Sequence, residues 1–197
     1  PYDPKVRSSL LNTANMLGDF SLTLQQAEGT ILSNPYDING YEALVKVLAA
    51  GMKYYYQEND EGQTAQLAQK VVNVGFKLEE QKAKINPNRP WYYALLNLTS
   101  EAQYEIAQAN YLLGNYEESL TIYQTASPEL FKEVADENTP QPILEQFAWY
   151  AASLYKTGKT SEADNIAQQL KTLDAQVYST YEKLINQEPL KTQKNAD

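Results

Sequence analysis

A short sequence recurs in this chain at a spacing that fits one helix–turn–helix unit. Pro1-Tyr2-Asp3 is repeated 34 residues later as Pro35-Tyr36-Asp37. Between the two copies lie two segments with the apolar spacing of helices, separated by Leu17-Gly18-Asp19-Phe20. A unit of this length holds two antiparallel helices and cannot bury their apolar faces alone, so several units must stack. The spacing therefore favours an array of helix pairs.

The same turn returns further along the chain, as Leu113-Gly114-Asn115-Tyr116 and, in a weaker form, as Thr157-Gly158-Lys159-Thr160. Gly114 can end a helix in the left-handed conformation with little strain. Asn115 is then predicted to cap the next helix, with Glu118 completing a capping box. Small residues at the helix crossings, such as Ser119, let the two backbones of a pair approach closely.

These repeats resemble the tetratricopeptide (TPR) family, whose period is about 34 residues. One unit matches the family pattern at Ile106, Ala107, Gly114, Tyr116, Ser119, Tyr123 and Ala126. The resemblance implies an all-α, right-handed superhelical solenoid of antiparallel helix pairs. We place about four repeats at about residues 4–37, 38–85, 100–133 and 144–177, in one domain over residues 1–186. From Thr160 the apolar residues keep helical spacing to about Asn186, which predicts one long capping helix, and residues 187–197 are predicted to be a disordered polar tail.

The second repeat departs from the pattern, since Met52 stands where the turn glycine belongs. The helical pattern continues through Tyr54-Tyr55-Tyr56, which predicts a first helix about two turns longer than usual. Asp60 is predicted to cap a second helix that runs to about Lys84. Successive helical residues point about 100° apart, so at least one tyrosine of the run must be exposed or packed across the insertion. The same holds for Trp91-Tyr92-Tyr93, in a predicted short apolar helix.

Composition excludes several classes of function. The chain has no Cys and no His, which rules out a disulfide framework, a Cys nucleophile, a Ser-His-Asp triad and the usual zinc sites. Sixteen Lys and Arg residues against 25 Asp and Glu residues leave a net charge of -9 without any basic cluster, which argues against nucleic acid as a partner. The longest apolar stretch, Ala43 to Met52, is too short to span a membrane. We expect no catalytic site, cofactor or metal, and an enzyme would need a carboxylate-lined pocket.

In TPR proteins the first helix of each repeat lines the concave face, where ligands usually bind. Asn and Gln side chains can both donate and accept hydrogen bonds, and tyrosine rings can stack on a sugar. The resemblance thus implies a groove for a protein or peptide partner, or for a glycan. An equally open interpretation is that these residues are ordinary solvated or packed parts of a solenoid. The predicted groove residues are Asn12, Asn15, Lys46, Tyr104, Gln108, Tyr111 and Tyr155.

A narrower resemblance rests on the order of several motifs. Asn34-Pro35-Tyr36-Asp37 closes a repeat, a Tyr-Tyr run extends the next helix, an Asn-Pro break follows at Asn86-Pro87, and Tyr111 to Tyr116 form a further turn. The C-terminal TPR region of bacterial O-antigen ligase/polymerase membrane proteins is similar. It implies an accessory interaction module, attached to the membrane through segments outside this sequence, with any catalysis located there. A start without Met also suggests a fragment of a longer polypeptide. The alternative is a free-standing cytoplasmic TPR adaptor.

Overall fold

A computed structural model describes Val6, Ser9, Leu10, Thr13 and Met16, together with residues 18–85, 97–132 and 135–191. Within these residues the chain forms eight α-helices, one 3-10 turn at Leu130–Lys132 and no strand. The predicted all-α class is therefore confirmed. The predicted short helix at Trp91–Leu96 and most of the first helix of the first repeat lie outside the described residues.

The chain divides into two compact units, Pro1–Ile106 with Lys191–Asp197, and Ala107–Leu190. The boundary falls inside one helix, which gives its residues up to Ile106 to the first unit and the rest to the second. In chain order the helices are α1 (Phe20–Ser33), α2 (Ile38–Gln57), α3 (Glu61–Ala83), α4 (Ser100–Leu112), α5 (Tyr116–Ala126), α6 (Gln141–Lys156), α7 (Thr160–Leu173) and α8 (Ala175–Asn186).

In the first unit, α2 is the central helix and packs against both α1 and α3. It is buried on both sides, so its apolar positions run almost continuously through Tyr41, Val45 and Met52. A Cβ atom at Gly40 would lie 3.0 Å from Ile31 Cγ1, and glycine therefore sets the close approach of α1 and α2. The extension of this helix to Gln57 is confirmed, as is the cap of α3, where Asp60 accepts a hydrogen bond from the Gln63 N–H at 3.0 Å.

In the second unit the central helix is α6, which packs against α5, α7 and α8. Small side chains on α6 are fully buried, among them Ala148, Ala151 and Ala152. Ser153 Oγ lies 3.0 Å from Ser119 Oγ of α5, and both residues are inaccessible to solvent. Two helices whose serines touch at this distance are closely packed, as the small residues of the repeat predicted.

The turn glycines adopt the left-handed conformation, with φ of +66° at Gly18, +84° at Gly114 and +83° at Gly158. Asn115 does occupy the N-cap position of α5, but its side chain makes no hydrogen bond to the start of that helix. The predicted capping box with Glu118 is therefore wrong. The Asn115 amide instead donates to Asn110 Oδ1 at 3.1 Å, which draws the side chain back toward α4.

The predicted single terminal helix is wrong, because the chain breaks at Asp174. This residue has an extended backbone, with φ of -154° and ψ of 106°, and separates α7 from α8. Its carboxylate accepts hydrogen bonds from the N–H groups of Gln176 at 2.8 Å and Val177 at 3.0 Å. An aspartate that caps a new helix offers the backbone an alternative to continuing the old one. The periodic apolar residues persist because both helices bury a face.

The first residues of the predicted disordered tail are also packed. Leu190 is buried, and its N–H donates to the Leu112 carbonyl at 2.8 Å. Lys156 Nζ donates to the Gln187 carbonyl at 3.1 Å. Residues 187–190 thus pack within the second unit, with Leu190 at the end of α4, while residues 192–197 lie outside the described residues.

Substitution of Asp174 by Asn tests the contribution of the ionised cap at the helix break, since Asn can also cap a helix but does not titrate. Hydrogen bonds from backbone N–H groups, that of Val177 first, lower the pKa of Asp174 from its ordinary 3.8. The stability that the ionised cap adds is present above that unfolded pKa and is lost as pH falls through the lower folded value. We expect the parent to be more stable than Asp174→Asn at pH 7 in urea unfolding, with the difference disappearing in acid. A pH-independent difference, or an equal response of Asp164→Asn, would contradict this.

Alanine at the two turn glycines of the second unit tests the packing of the residues after α8. Gly158→Ala should lower the free energy of unfolding by about 1–2 kcal/mol, which is the cost of an alanine in the left-handed conformation. Its Cβ would meet no atom within 4 Å, so no steric cost is added. Gly114→Ala should cost more in urea unfolding, because its Cβ would lie 2.9 Å from Pro189 Cβ. In a double-mutant cycle, Pro189→Gly should reduce the Gly114→Ala cost to that of Gly158→Ala. Equal costs for both glycines would show that Pro189 is not packed there.

Candidate interaction surfaces

The predicted groove residues differ widely in exposure. Lys46 and Tyr155 are exposed, whereas Tyr104, Gln108 and Tyr111 are only 5%, 2% and 2% exposed. For these last three, burial agrees with the alternative interpretation, in which they are packed parts of the helical array. These three residues belong to α4, which is buried along most of its length, so even its polar side chains lie in the core. Asn12 and Asn15 lie outside the described residues.

The buried Gln108 belongs to a polar network inside the second unit. Its Nε2 atom donates to Gln146 Oε1 at 3.0 Å, and the same oxygen accepts from the Tyr123 hydroxyl at 3.3 Å. Buried polar groups must find hydrogen-bond partners, and here three helices supply them to one another. The amide of Gln108 therefore serves the packing of α4, α5 and α6.

Tyr111 is the centre of an aromatic cluster in the second unit. Its ring makes edge-to-face contacts with Tyr116 at 5.0 Å and with Trp149 at 5.5 Å between ring centroids. Its hydroxyl donates to the Leu184 carbonyl at the end of α8, at 2.9 Å. Such contacts favour a fixed, buried ring. The ring faces that we expected to stack on a ligand are occupied by the protein.

Charged residues link α2 to the start of α4 within the first unit. Lys46 pairs with Glu101 at 3.4 Å, and Lys53 pairs with Glu105 at 2.6 Å. Glu42 accepts a hydrogen bond from the Thr99 N–H at 2.7 Å. Lys46 and Glu101 are mostly exposed, so their pair is worth about 0–1 kcal/mol. These contacts join the two helices, and Lys46, the one charged residue among the predicted groove residues, is paired with Glu101.

The pair formed by Lys53 and Glu105 was missed by the sequence analysis, since Lys53 lies in the extension that departs from the repeat. Glu105 is 21% exposed, and its Oε2 atom is buried without a hydrogen-bond partner in the described part of the chain. An unpaired buried carboxylate oxygen costs free energy. The Lys53 ammonium, which bonds the other oxygen, offsets part of that cost. Only the tertiary fold brings these two residues, 52 positions apart, into contact.

A cleft of about 600 Å³ lies on the first unit between α1, α2 and α3. Its floor is aliphatic, with buried Leu44 and Leu48 from α2 and buried Val74 from α3. Leu24 and Leu32 of α1 form one wall, and Leu32 is 85% exposed. A leucine this exposed beside an apolar floor leaves a hydrophobic surface in contact with water. The sequence analysis placed no site here.

The two rims of the cleft carry opposite charges. Lys70 and Lys77 of α3 line one rim, and Glu28 of α1 lines the other. All three residues are exposed, and none pairs with any residue that the structure describes. Lys70 and Lys77 are seven residues apart along α3, so both lie on one face of that helix. The cleft thus combines an apolar floor with charges available to a partner.

The shifted pKa values move away from neutral pH. Burial raises the pKa of Tyr56 to about 12, and burial, with the nearby Asp164 carboxylate, raises that of Tyr181 to about 12. A backbone hydrogen bond from Asn138 lowers the pKa of Asp136. General acid–base catalysis needs a pKa near the working pH, and these shifts work against it. Among the residues described, no cluster of three or more acidic side chains could hold a metal ion.

No protein-family model matches the chain, and no curated protein matches it in sequence. Among the helices of the described ranges, none combines the length and the hydrophobicity that crossing a bilayer requires.

Substitution of Tyr111 by Phe measures its structural role. The variant removes the hydrogen bond to the Leu184 carbonyl, which still accepts from the Gln187 N–H at 3.1 Å. Because that carbonyl keeps one partner, we expect the free energy of unfolding to fall by about 0.5–1.5 kcal/mol, at the lower end. The matched control Tyr155→Phe, at a ring that is 39% exposed, should change it by less than about 0.5 kcal/mol. Equal effects in urea unfolding would contradict the assignment.

Proposed function

We propose that this chain is a non-catalytic, TPR-type protein-interaction module, and that it is the C-terminal part of a membrane protein of surface-polysaccharide assembly. The interaction role is supported by one observation, which is that helix pairs recur with a left-handed glycine at the turn. Gly18, Gly114 and Gly158 share this conformation. An array of short antiparallel pairs exposes a large surface for its length, which is the use that repeat proteins make of this arrangement.

The chemistry of the described residues supports binding over catalysis. The acidic side chains with lowered pKa values act as caps of turns and helices, and the charges near the predicted groove pair with one another. A cleft with an apolar floor is suited to holding a partner's side chains. The assignment to polysaccharide assembly is supported by the order of motifs in the sequence alone.

Fractionation of cells that make this sequence tests the proposal, with an antibody raised against the chain. We expect a band much larger than the 22.3 kDa of the chain, retained in membranes after alkaline extraction. Alkaline extraction removes proteins held by charge alone, so retention indicates a membrane-spanning segment or a covalent lipid anchor in the same polypeptide. A peripheral protein of the same cells, detected in parallel, must be released by that treatment.

A band near 22.3 kDa outside the membrane fraction would overturn the membrane-protein assignment. The free-standing adaptor would then be the better hypothesis. In either case, titration with polysaccharide from the same cells tests the glycan alternative by calorimetry. A saccharide-dependent heat would show that the chain binds glycan.

A further inference from the structure

The cleft between α1, α2 and α3 has a floor, walls and rims of distinct chemistry. We propose that it docks an amphipathic helix of a partner protein, with aliphatic side chains on the inner face and acidic side chains seven residues apart along the flank that meets Lys70 and Lys77. This proposal rests on the proposed interaction role and names the chemistry of the partner.

The backbone of the cleft favours a helical occupant. Its three walls are helices whose N–H and C=O groups bond along their own axes, so they offer no row of free backbone groups to a partner. An extended segment on the aliphatic floor would leave some of its own backbone groups without hydrogen bonds, which is costly away from water. A helix satisfies its backbone internally and presents only side chains.

The lining also argues against a small polar molecule. Ligand pockets fix such molecules with a few polar groups that converge inside the cavity. Here the floor residues Leu44, Leu48 and Val74 carry none, and the polar side chains stand at the rims. That arrangement matches a partner whose apolar side chains face the floor of the cleft and whose polar side chains face its rims.

The dimensions match about two helical turns. Leu24 to Leu32 spans about 12 Å along α1, and Lys70 to Lys77 spans about 10.5 Å along α3, at the 1.5 Å rise of a helix. Acidic residues seven positions apart on the partner have the same separation as the two lysines. A partner helix parallel or antiparallel to α3 can therefore meet both ammonium groups.

The lysine rim of the cleft is opposite in sign to the net charge of the chain. The chain carries a net charge of -9, so an acidic segment is repelled by most of it. The rim with Lys70 and Lys77 is a local exception, while Glu28 on the opposite rim favours a basic flank. Opposite charges on the two rims fix the orientation of the bound helix more than they add affinity.

A pair of stapled helical peptides of about 14 residues tests the proposal. The first has leucines on one face and two glutamates seven positions apart beside it, and the second has lysines in place of those glutamates. We expect the glutamate peptide to bind the full chain more tightly, as measured by fluorescence anisotropy at physiological salt. Lys70→Glu/Lys77→Glu should weaken its binding about 2- to 30-fold, at 0.2–1 kcal/mol for each exposed pair, and should reverse the peptide preference.

Matched variants separate the cleft from general surface effects. Lys171→Glu/Lys183→Glu makes the same change of net charge on the second unit and should leave peptide binding unchanged. Leu32→Ser should weaken binding about tenfold, while Phe76→Ser, at another exposed apolar residue that does not line the cleft, should not. Circular dichroism confirms that each variant is folded, and exposed positions were chosen for that reason.

Three results would overturn the proposal. They are no binding of either peptide, equal loss in the cleft variants and their controls, and equal binding of a proline-interrupted peptide that cannot form a helix. None of these results contradicts the proposed function that fractionation tests, because an interaction module could use another surface. Conversely, a chain that fractionates as a free adaptor can still bind the glutamate peptide, so the failures of the two proposals are distinguishable.

Discussion

The close approach of a central helix to its neighbours is the contact on which the rest of each unit depends. In the second unit α6 brings fully buried alanines and Ser153 against α5, with the two serine hydroxyls 3.0 Å apart. In the first unit Gly40 of α2 leaves space for Ile31 of α1. Small side chains at these crossings let the larger neighbours fill the space beside them at the density of a protein interior. Enlarging any of them would push the helices apart.

This packing explains why three of the predicted groove residues, Tyr104, Gln108 and Tyr111, are buried. Once α4 is buried, its polar residues must satisfy one another or the backbone, and Gln108 and Tyr111 do so within the second unit. Lys46, Lys53 and their glutamate partners perform the same task between α2 and the start of α4 in the first unit. An apolar surface available to a partner lies at the cleft, which Leu32 and the Lys70 rim border.

The extension of α2 lies outside the cleft, whose α2 residues are Leu44 and Leu48. Two added turns, ending at Gln57, allow α3 to begin later and to run to Ala83, so the first unit is built on two long helices. At the cleft, beside α1, part of the aliphatic faces of α2 and α3 has no covering helix among the described residues. The opposite charges at the rims then select which amphipathic segment can cover that surface.

The sequence by itself determined the helices, most of their ends and their turns. Apolar periodicity, turn glycines and the Asp60 cap are local signals, because each depends on residues within one or two helical turns. The exceptions have the same cause. Asp174 breaks a continuous apolar pattern, and the Asn115 side chain bonds to Asn110 in place of its own helix. Both depend on side-chain hydrogen bonds, which the spacing of apolar residues does not predict. Exposure, the charged pairs across 52 and 55 positions and the cleft were decided only by the tertiary structure, because they depend on which helix faces meet.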